Sequence, residues 1–270
     1  MKITIIGAGN MGSAIVRGLV RGSLFKAEDI SVADVNENIL NVLKKDVPGL
    51  NIEWDNYNSV SDADIILLAV KPWLVDNVID CIKFKMDYEK QILVSIAAGI
   101  DIASLNLSLE KHSDEISIPT IFRVIPNTAI AIRKSVNLIA TQNASDEQKD
   151  LLLRIFNELG TAVLLNESHL SAGTALTSCG IAYLFRYVRA AVQAGVEIGF
   201  YPKDAQNMIV ETMLGAAELL KTGGENPETE IDKVTTPGGI TIKGLNELEA
   251  NGFSNAIIKG IKASLATCQN

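Results

Sequence analysis

Gly7-Ala8-Gly9-Asn10-Met11-Gly12 follows an apolar run, Ile3-Thr4-Ile5-Ile6, and opens a helical pattern. The three glycines have separate uses at this spacing. Gly7 permits a tight turn, Gly9 lets backbone approach a pyrophosphate, and Gly12 lets helix pack closely on strand. The N–H groups at the helix start, those of Asn10 and Met11 included, face the phosphates together with the positive end of the helix dipole. The chemistry implied is dinucleotide binding. Asp34 ends the second β-branched run, about twenty residues past the turn, where a carboxylate accepts ribose hydroxyls and repels a 2′-phosphate. NADH is therefore expected over NADPH, with Asn36, Asn38 and Lys44 able to soften the preference. The competing reading is that Asp34 merely caps the next helix.

Three further segments end apolar runs: Ala69-Val70-Lys71-Pro72, Ser95-Ile96-Ala97-Ala98-Gly99 and Arg123-Val124-Ile125-Pro126-Asn127-Thr128. Ligands of open α/β sheets lie at such strand ends. Small residues there leave room for a nicotinamide ring, although each segment alone also reads as an ordinary turn. Far along the chain, Val234-Thr235-Thr236-Pro237-Gly238-Gly239-Ile240-Thr241 precedes a pattern with Ile242, Leu245 and Leu248 on one face. Two glycines and several hydroxyls before a helix start can hold a carboxylate on backbone N–H groups. The plainer alternative is a capped helix, with Thr241 as N-cap.

These residues need a scaffold. Strands are expected at 2–6, 30–35, 51–54, 64–70, 91–96 and 120–125, and helices at 11–21, 37–45 and 73–82, with Pro72 at the start of the last. The nearly continuous apolar run 64–70 suits a strand buried on both faces. The implied architecture is an α/β Rossmann-type N-terminal domain, residues 1–165, with a mostly parallel sheet. From 166 to 270 the pattern is all helical, at about 168–199, 203–221, 241–251 and 254–268, broken at Pro202, Gly223-Gly224 and Pro237-Gly238-Gly239. The stretch 179–200 is too apolar for a one-sided surface helix. It reads equally as intrachain core or subunit interface.

Composition narrows the class. With 47% hydrophobic and 21% charged residues, the chain can build a core and is not disordered. A net charge of −8 argues against nucleic acid as a partner. Three cysteines, Cys81, Cys179 and Cys268, form no C-x-x-C pair, so neither a disulfide framework nor a zinc ribbon is expected. His112 and His169 are the two histidines, too few for a His-rich metal site, so no metal is expected. Arg186, Arg189 and Glu197 interrupt the apolar stretch 180–200, which argues against a membrane partner. Gly7 and Gly9 break the first apolar run and Arg17 and Arg21 follow, so an export leader is not expected and a cytoplasmic location is.

Taken together, the segments 6–12, 69–72, 95–99, 126–128 and above all 234–241, followed by 245–253, resemble the pyrroline-5-carboxylate reductases over nearly the whole length. The resemblance implies hydride transfer from NADH or NADPH to the C=N carbon of 1-pyrroline-5-carboxylate, giving proline. It implies an interlocked homodimer built by the helical domain, often assembled further. It implies a carboxylate loop at Thr236, Gly238, Gly239 and Ile240, with Thr241 near the imine nitrogen as the catalytic residue. It also brings Asn56 to the adenosine ribose, and Ala69, Val70, Lys71, Pro72 and Ala97 alongside the cofactor. The chain departs from the family pattern at Ser178, Cys179 and Ile181, at Ala129, and at Asp232-Lys233. Two rivals stand beside this reading. A β-hydroxyacid dehydrogenase would want a lysine in the central helix, and 180–200 has none. A non-catalytic NADH-binding regulator on the same fold would bind the dinucleotide without turnover.

Overall fold

The computed structural model describes residues 1–111 and 118–268. His112 lies outside the described residues. By its contacts the chain divides into two compact units, the first Met1–Ser178 and the second beginning at Cys179.

The first unit alternates strand and helix: β1 (Ile3–Ile6), α1 (Asn10–Val20), β2 (Ile30–Ala33), α2 (Glu37–Asp46), β3 (Asn51–Glu53), α3 (Asn56–Ser59), β4 (Ile65–Leu68), α4 (Val75–Ile82), β5 (Ile92–Ser95), α5 (Ile102–Leu109), β6 (Thr120–Ile125), β7 (Ser135–Gln142), α6 (Asp146–Asn157), β8 (Gly160–Leu164) and α7 (Leu170–Thr177). The eight strands form one sheet in the order β3-β2-β1-β4-β5-β6-β7-β8. Every neighbouring pair is parallel except β6 with β7. The chain reverses its direction of growth between β1 and β4, and doubly wound sheets open their ligand crevice at such a point.

Side-chain alternation along the strands builds two cores. Ile3, Ile5, Ile65, Leu67, Phe122 and Val124 pack on one face with Ile15, Val16 and Leu19 of α1. Ile6, Ile66, Leu68, Ile121 and Ile125 pack on the other with Val75, Ile79 and Ile82 of α4. Both faces of the central strands are therefore buried, which is why their sequences are continuously apolar.

Two strands, β7 and β8, and three helices, α3, α5 and α6, lie where no element is expected. β7 returns antiparallel after β6 and carries Asn137, which is fully buried and donates to the Phe156 carbonyl (2.9 Å). A buried amide inside the strand breaks the apolar signature. β8 is short and opens on Gly160 at φ +147°, where an added Cβ would lie 2.0 Å from the Ser135 carbonyl. The first unit also runs past the boundary expected at 165. α7 packs on β7, and a Cβ at Gly173 would sit 2.5 Å from Leu138 Cδ1. The helix expected from 168 to 199 is therefore broken after Ser178.

The second unit is helical among its described residues: α8 (Gly180–Glu197), α9 (Pro202–Gly223), α10 (Pro227–Val234), α11 (Ile240–Ala250) and α12 (Phe253–Cys268). α10 was not expected; its acidic first turn, Glu228 and Glu230, follows an Asn226 cap. α8 and α9 meet where a Cβ at Gly195 would lie 2.8 Å from Ala205 Cβ. No residue of α8, α10, α11 or α12 is buried within the chain.

Candidate functional site

The glycine turn sits at the C-terminal end of β1. Gly7 has φ +106°, and an added Cβ would lie 2.6 Å from the Ala69 carbonyl. Gly12 has still less room: a Cβ would sit 1.9 Å from the Gly7 carbonyl and 3.2 Å from Ala69 Cβ. Gly9 is different, with nothing within 4 Å of where a Cβ would stand. It is also the N-cap of α1 and offers no side-chain acceptor. No side-chain cap takes the first-turn N–H groups of Asn10, Met11 and Gly12, the arrangement an anion fills. A dinucleotide pyrophosphate fits this cradle.

Asp34 stands beside the turn. Its Oδ2 accepts the Ala8 N–H (2.7 Å) and its Oδ1 accepts the Asn36 N–H (2.8 Å). It does not cap α2. That cap is Asn36, whose side chain accepts from the N–H groups of Asn38 and Ile39. A cleft of about 280 Å³ opens here, and its lining includes Gly7, Asp34, Asn56 and Val70. Its wall adds Val35, Leu74 and Asn77, which spacing alone did not single out. On this wall Val35, directly after Asp34, is an apolar side chain left 88% exposed.

The other strand ends line up along the same sheet edge. Ala69 takes the Ile6 carbonyl through its N–H (2.8 Å), which ties β4 to the glycine turn. Lys71 is exposed and caps a 3₁₀ turn (Pro72–Leu74), with Pro72 at its first position. Ser95 and Ala97 are buried, and the Ala97 N–H reaches Ser95 Oγ at 3.3 Å. Asn127 is buried and caps the 3₁₀ turn Thr128–Ile132, while its own N–H donates to Ser135 Oγ (2.9 Å). Ser178 Oγ donates to the Pro126 carbonyl (3.1 Å).

The helical unit carries the second cluster. The Gly239 N–H donates to the Thr236 carbonyl (2.9 Å), and Gly238 has φ +72°. Thr236-Pro237-Gly238-Gly239 is therefore a tight turn, with proline second and the left-handed glycine third. A Cβ at Gly239 would lie 2.5 Å from Thr236 Oγ1. Gly239, not Thr241, is the N-cap of α11, and no side chain caps it. Thr241 stands, exposed, in the first turn, and Ile240 beside it is 87% exposed. Among the described residues no group of three His, Cys, Asp or Glu side chains could hold a metal. No described helix is long and apolar enough to cross a membrane.

Fold and site define a nicotinamide-dinucleotide oxidoreductase with a helical second unit. The comparisons make this specific. Residues 167–270 match the family model for pyrroline-5-carboxylate reductase dimerisation, and residues 2–99 match the model for coenzyme F420-dependent NADP oxidoreductases. Pyrroline-5-carboxylate reductase 1 of Dictyostelium discoideum is 39% identical over 97% of this chain, which spans 48% of that protein's length. The pyrroline-5-carboxylate reductase of Methanosarcina acetivorans is 34% identical, covering 97% of this chain and 96% of its own. The crystal structure of pyrroline carboxylate reductase of Plasmodium falciparum, with NADP bound, superposes with a TM-score of 0.86 at 26% identity, over 99% of this chain and 97% of that one. The chain belongs to the pyrroline-5-carboxylate reductase family. Its helical region is the family's dimerisation region, and the protein is a homo-oligomer.

Proposed function

We propose that this protein reduces 1-pyrroline-5-carboxylate to proline, the last step of proline synthesis, with a nicotinamide dinucleotide in the β1/β4 crevice and the substrate on the α11 turn. The dinucleotide, when bound, supplies the hydride. Gly7, Gly9, Asn10, Met11 and Gly12 would hold its pyrophosphate, and Asp34 and Asn56 its adenosine half. Ala69, Val70, Lys71, Pro72 and Ala97 would flank the nicotinamide half.

The observation that carries the substrate reading is the start of α11. The helix starts on Gly239 without a side-chain cap, and the exposed Thr241 stands in its first turn. A carboxylate suits the first-turn N–H groups and the helix dipole. Thr236, Gly238, Gly239 and Ile240 form the cradle, and Thr241 Oγ1 orients the imine nitrogen by hydrogen bonding. A protonated imine already accepts hydride well, so the chain's main task is to hold the carbon at attack distance. Water delivers the proton; no dedicated histidine or lysine acid is needed.

Cofactor preference follows from residues 34–38. Asp-Val-Asn-Glu-Asn brings two carboxylates and no cation. Asn36 already accepts the N–H groups of Asn38 and Ile39 at the start of α2, so a 2′-phosphate would compete with it for them. NADH is the preferred donor in this reading. The free cysteines, Cys81, Cys179 and Cys268, suit a reducing cytoplasm. Neither nucleic acid nor membrane is assigned as a partner.

The test is NADH oxidation with 1-pyrroline-5-carboxylate in wild type, Thr241→Ser and Thr241→Ala. Thr241→Ala should lose about 10- to 100-fold in kcat, the size of one hydrogen bond to a charged group. NADH affinity should stay within about twofold, and Thr241→Ser should recover most of the rate. Equal rates in all three would remove Thr241 from the mechanism. Tight NADH binding with no turnover in wild type would instead favour a regulator.

A further inference from the structure

We propose that Arg123 and Glu167 are positioning residues that set the loop carrying Ala97. The proposal rests on the reading of Ala97 as a flank of the nicotinamide. Arg123 lies in β6, paired in register with Ser95 of β5. It shares its sheet face with the apolar Ile121 and Ile125 and is 9% exposed. A guanidinium in that place needs a partner. The partner comes from 44 residues away: Glu167 Oε1 accepts from Arg123 Nη1 at 3.0 Å.

The same oxygen has a second task. It accepts the N–H of Ile102 at 2.9 Å, the first residue of α5. α5 is thus capped twice, because Asp101 also accepts the Ser104 N–H (2.8 Å). Only residues 96–101 run between the end of β5 and the start of α5. One end of that segment is held by Ser95 Oγ on the Ala97 N–H. The other is held by Glu167. Between them Ala98 and Gly99 are exposed, and Gly99 takes φ +80° with open space where a Cβ would be. Ile96, Ala97 and Ile100 pack on the two cores, whereas the Ala98–Gly99 tip between them has no packing of its own to locate it. Its place depends on the two anchors.

Charge balance alone does not explain this geometry. Arg123 Nε is buried without a partner among the described residues, while Nη1 is on Glu167. The side chain sits where it braces Glu167 under Ile102. Glu167 also begins the 3₁₀ turn Glu167–His169 that leads into α7. One carboxylate therefore ties β6, the α5 start and the α7 entry together at the edge of the sheet where the cofactor reading places the nicotinamide.

Glu167→Ala removes both bonds; Glu167→Gln keeps an acceptor for Ile102. Three readouts separate positioning from bulk stability. Amide hydrogen exchange in 96–102, with NADH bound, should rise about tenfold in the Ala variant and stay near wild type in the Gln variant. The fluorescence anisotropy of bound NADH should fall in the Ala variant, with its affinity within about threefold of wild type. With substrate, kcat should fall about tenfold and the isotope effect from 4-deuterated NADH should rise, because the hydride step itself is slowed. Unchanged exchange and anisotropy in Glu167→Ala would overturn the proposal. So would a kcat that falls only with the folded fraction while the isotope effect stays constant. If Glu167→Ala does not fold, Arg123→Lys should show the same three changes, and wild-type values there would likewise overturn it. If wild type fails to reduce pyrroline-5-carboxylate, the substrate reading fails; exchange and anisotropy still decide the clamp.

Discussion

At the scale of single residues, Asp34 carries two kinds of work. Its oxygens pin the backbone of Ala8 and Asn36, which fixes the glycine turn against the second strand. Its charge also faces the cleft that Asn56 and Val35 line. Removing the carboxylate should separate the two. In Asp34→Ser, the Ala8 N–H loses its acceptor, and stability should drop by about 1 kcal/mol. The ratio of kcat/KM for NADPH over NADH should rise by about tenfold or more, since repulsion of a 2′-phosphate is worth at least 1.4 kcal/mol at close range. Steady-state kinetics with both donors, beside urea unfolding, measures each effect. A ratio that does not move would leave Asp34 with its structural work only.

At the scale of elements, six helix starts separate into two kinds, while α4, α7, α8 and α9 start without a side-chain cap on residues other than glycine. α2, α5, α6 and α10 begin with side-chain acceptors, Asn36, Asp101, Ser145 and Asn226. α1 and α11 begin on Gly9 and Gly239 and have none. A cap supplied by the protein stabilises; a missing one leaves N–H groups for a ligand. Substitutions should follow that division. Ser145→Ala breaks a capping box with Gln148 and should cost about 1 kcal/mol in urea unfolding, with kcat unchanged. Gly239→Ala drives a Cβ toward Thr236 Oγ1 and should raise KM for the imine about tenfold, leaving NADH binding alone. Equal effects of the two on KM would contradict the division.

The same contrast explains what the sequence made legible. Gly7 and Gly12 could be assigned because sterics demand them, and the distances to Ala69 and Gly7 bear that out. The cap of α2 was ambiguous, because Asp34 and Asn36 are both good caps two residues apart. β7 went unseen because Asn137 interrupts it, and its hydrogen bond to Phe156 is a tertiary fact no local pattern contains. The shared oxygen of Glu167 joins residues 44 and 65 positions apart and leaves no local trace at all.

At the scale of the molecule, α8 gives the decisive surface. Its stretch was too apolar for one exposed face, and within one chain it has no buried residue. Leu184 and Phe185 stand 54% and 64% exposed, and Leu214, Leu219 and Ile258 of α9 and α12 are also bare. Isolated exposed leucines need no explanation, but a whole helical unit without a buried core side chain on α8 does. The match of residues 167–270 to the family's dimerisation region points to a second copy as what would cover these side chains. Each large apolar side chain so buried contributes about 1.5–3 kcal/mol. Placing two charges there should therefore outweigh the association. The double variant Leu184→Lys/Phe185→Lys should sediment as a monomer at micromolar concentration, where wild type sediments as a dimer or larger. Its first unit should still bind NADH, because the glycine turn, Asp34 and Asn56 all belong to Met1–Ser178. Its α8–α12 region should lose amide protection and unfold at lower urea than the first unit, since the partner's surface is what held it. A double variant that stays dimeric with full protection would place the interface on another face of the helical unit.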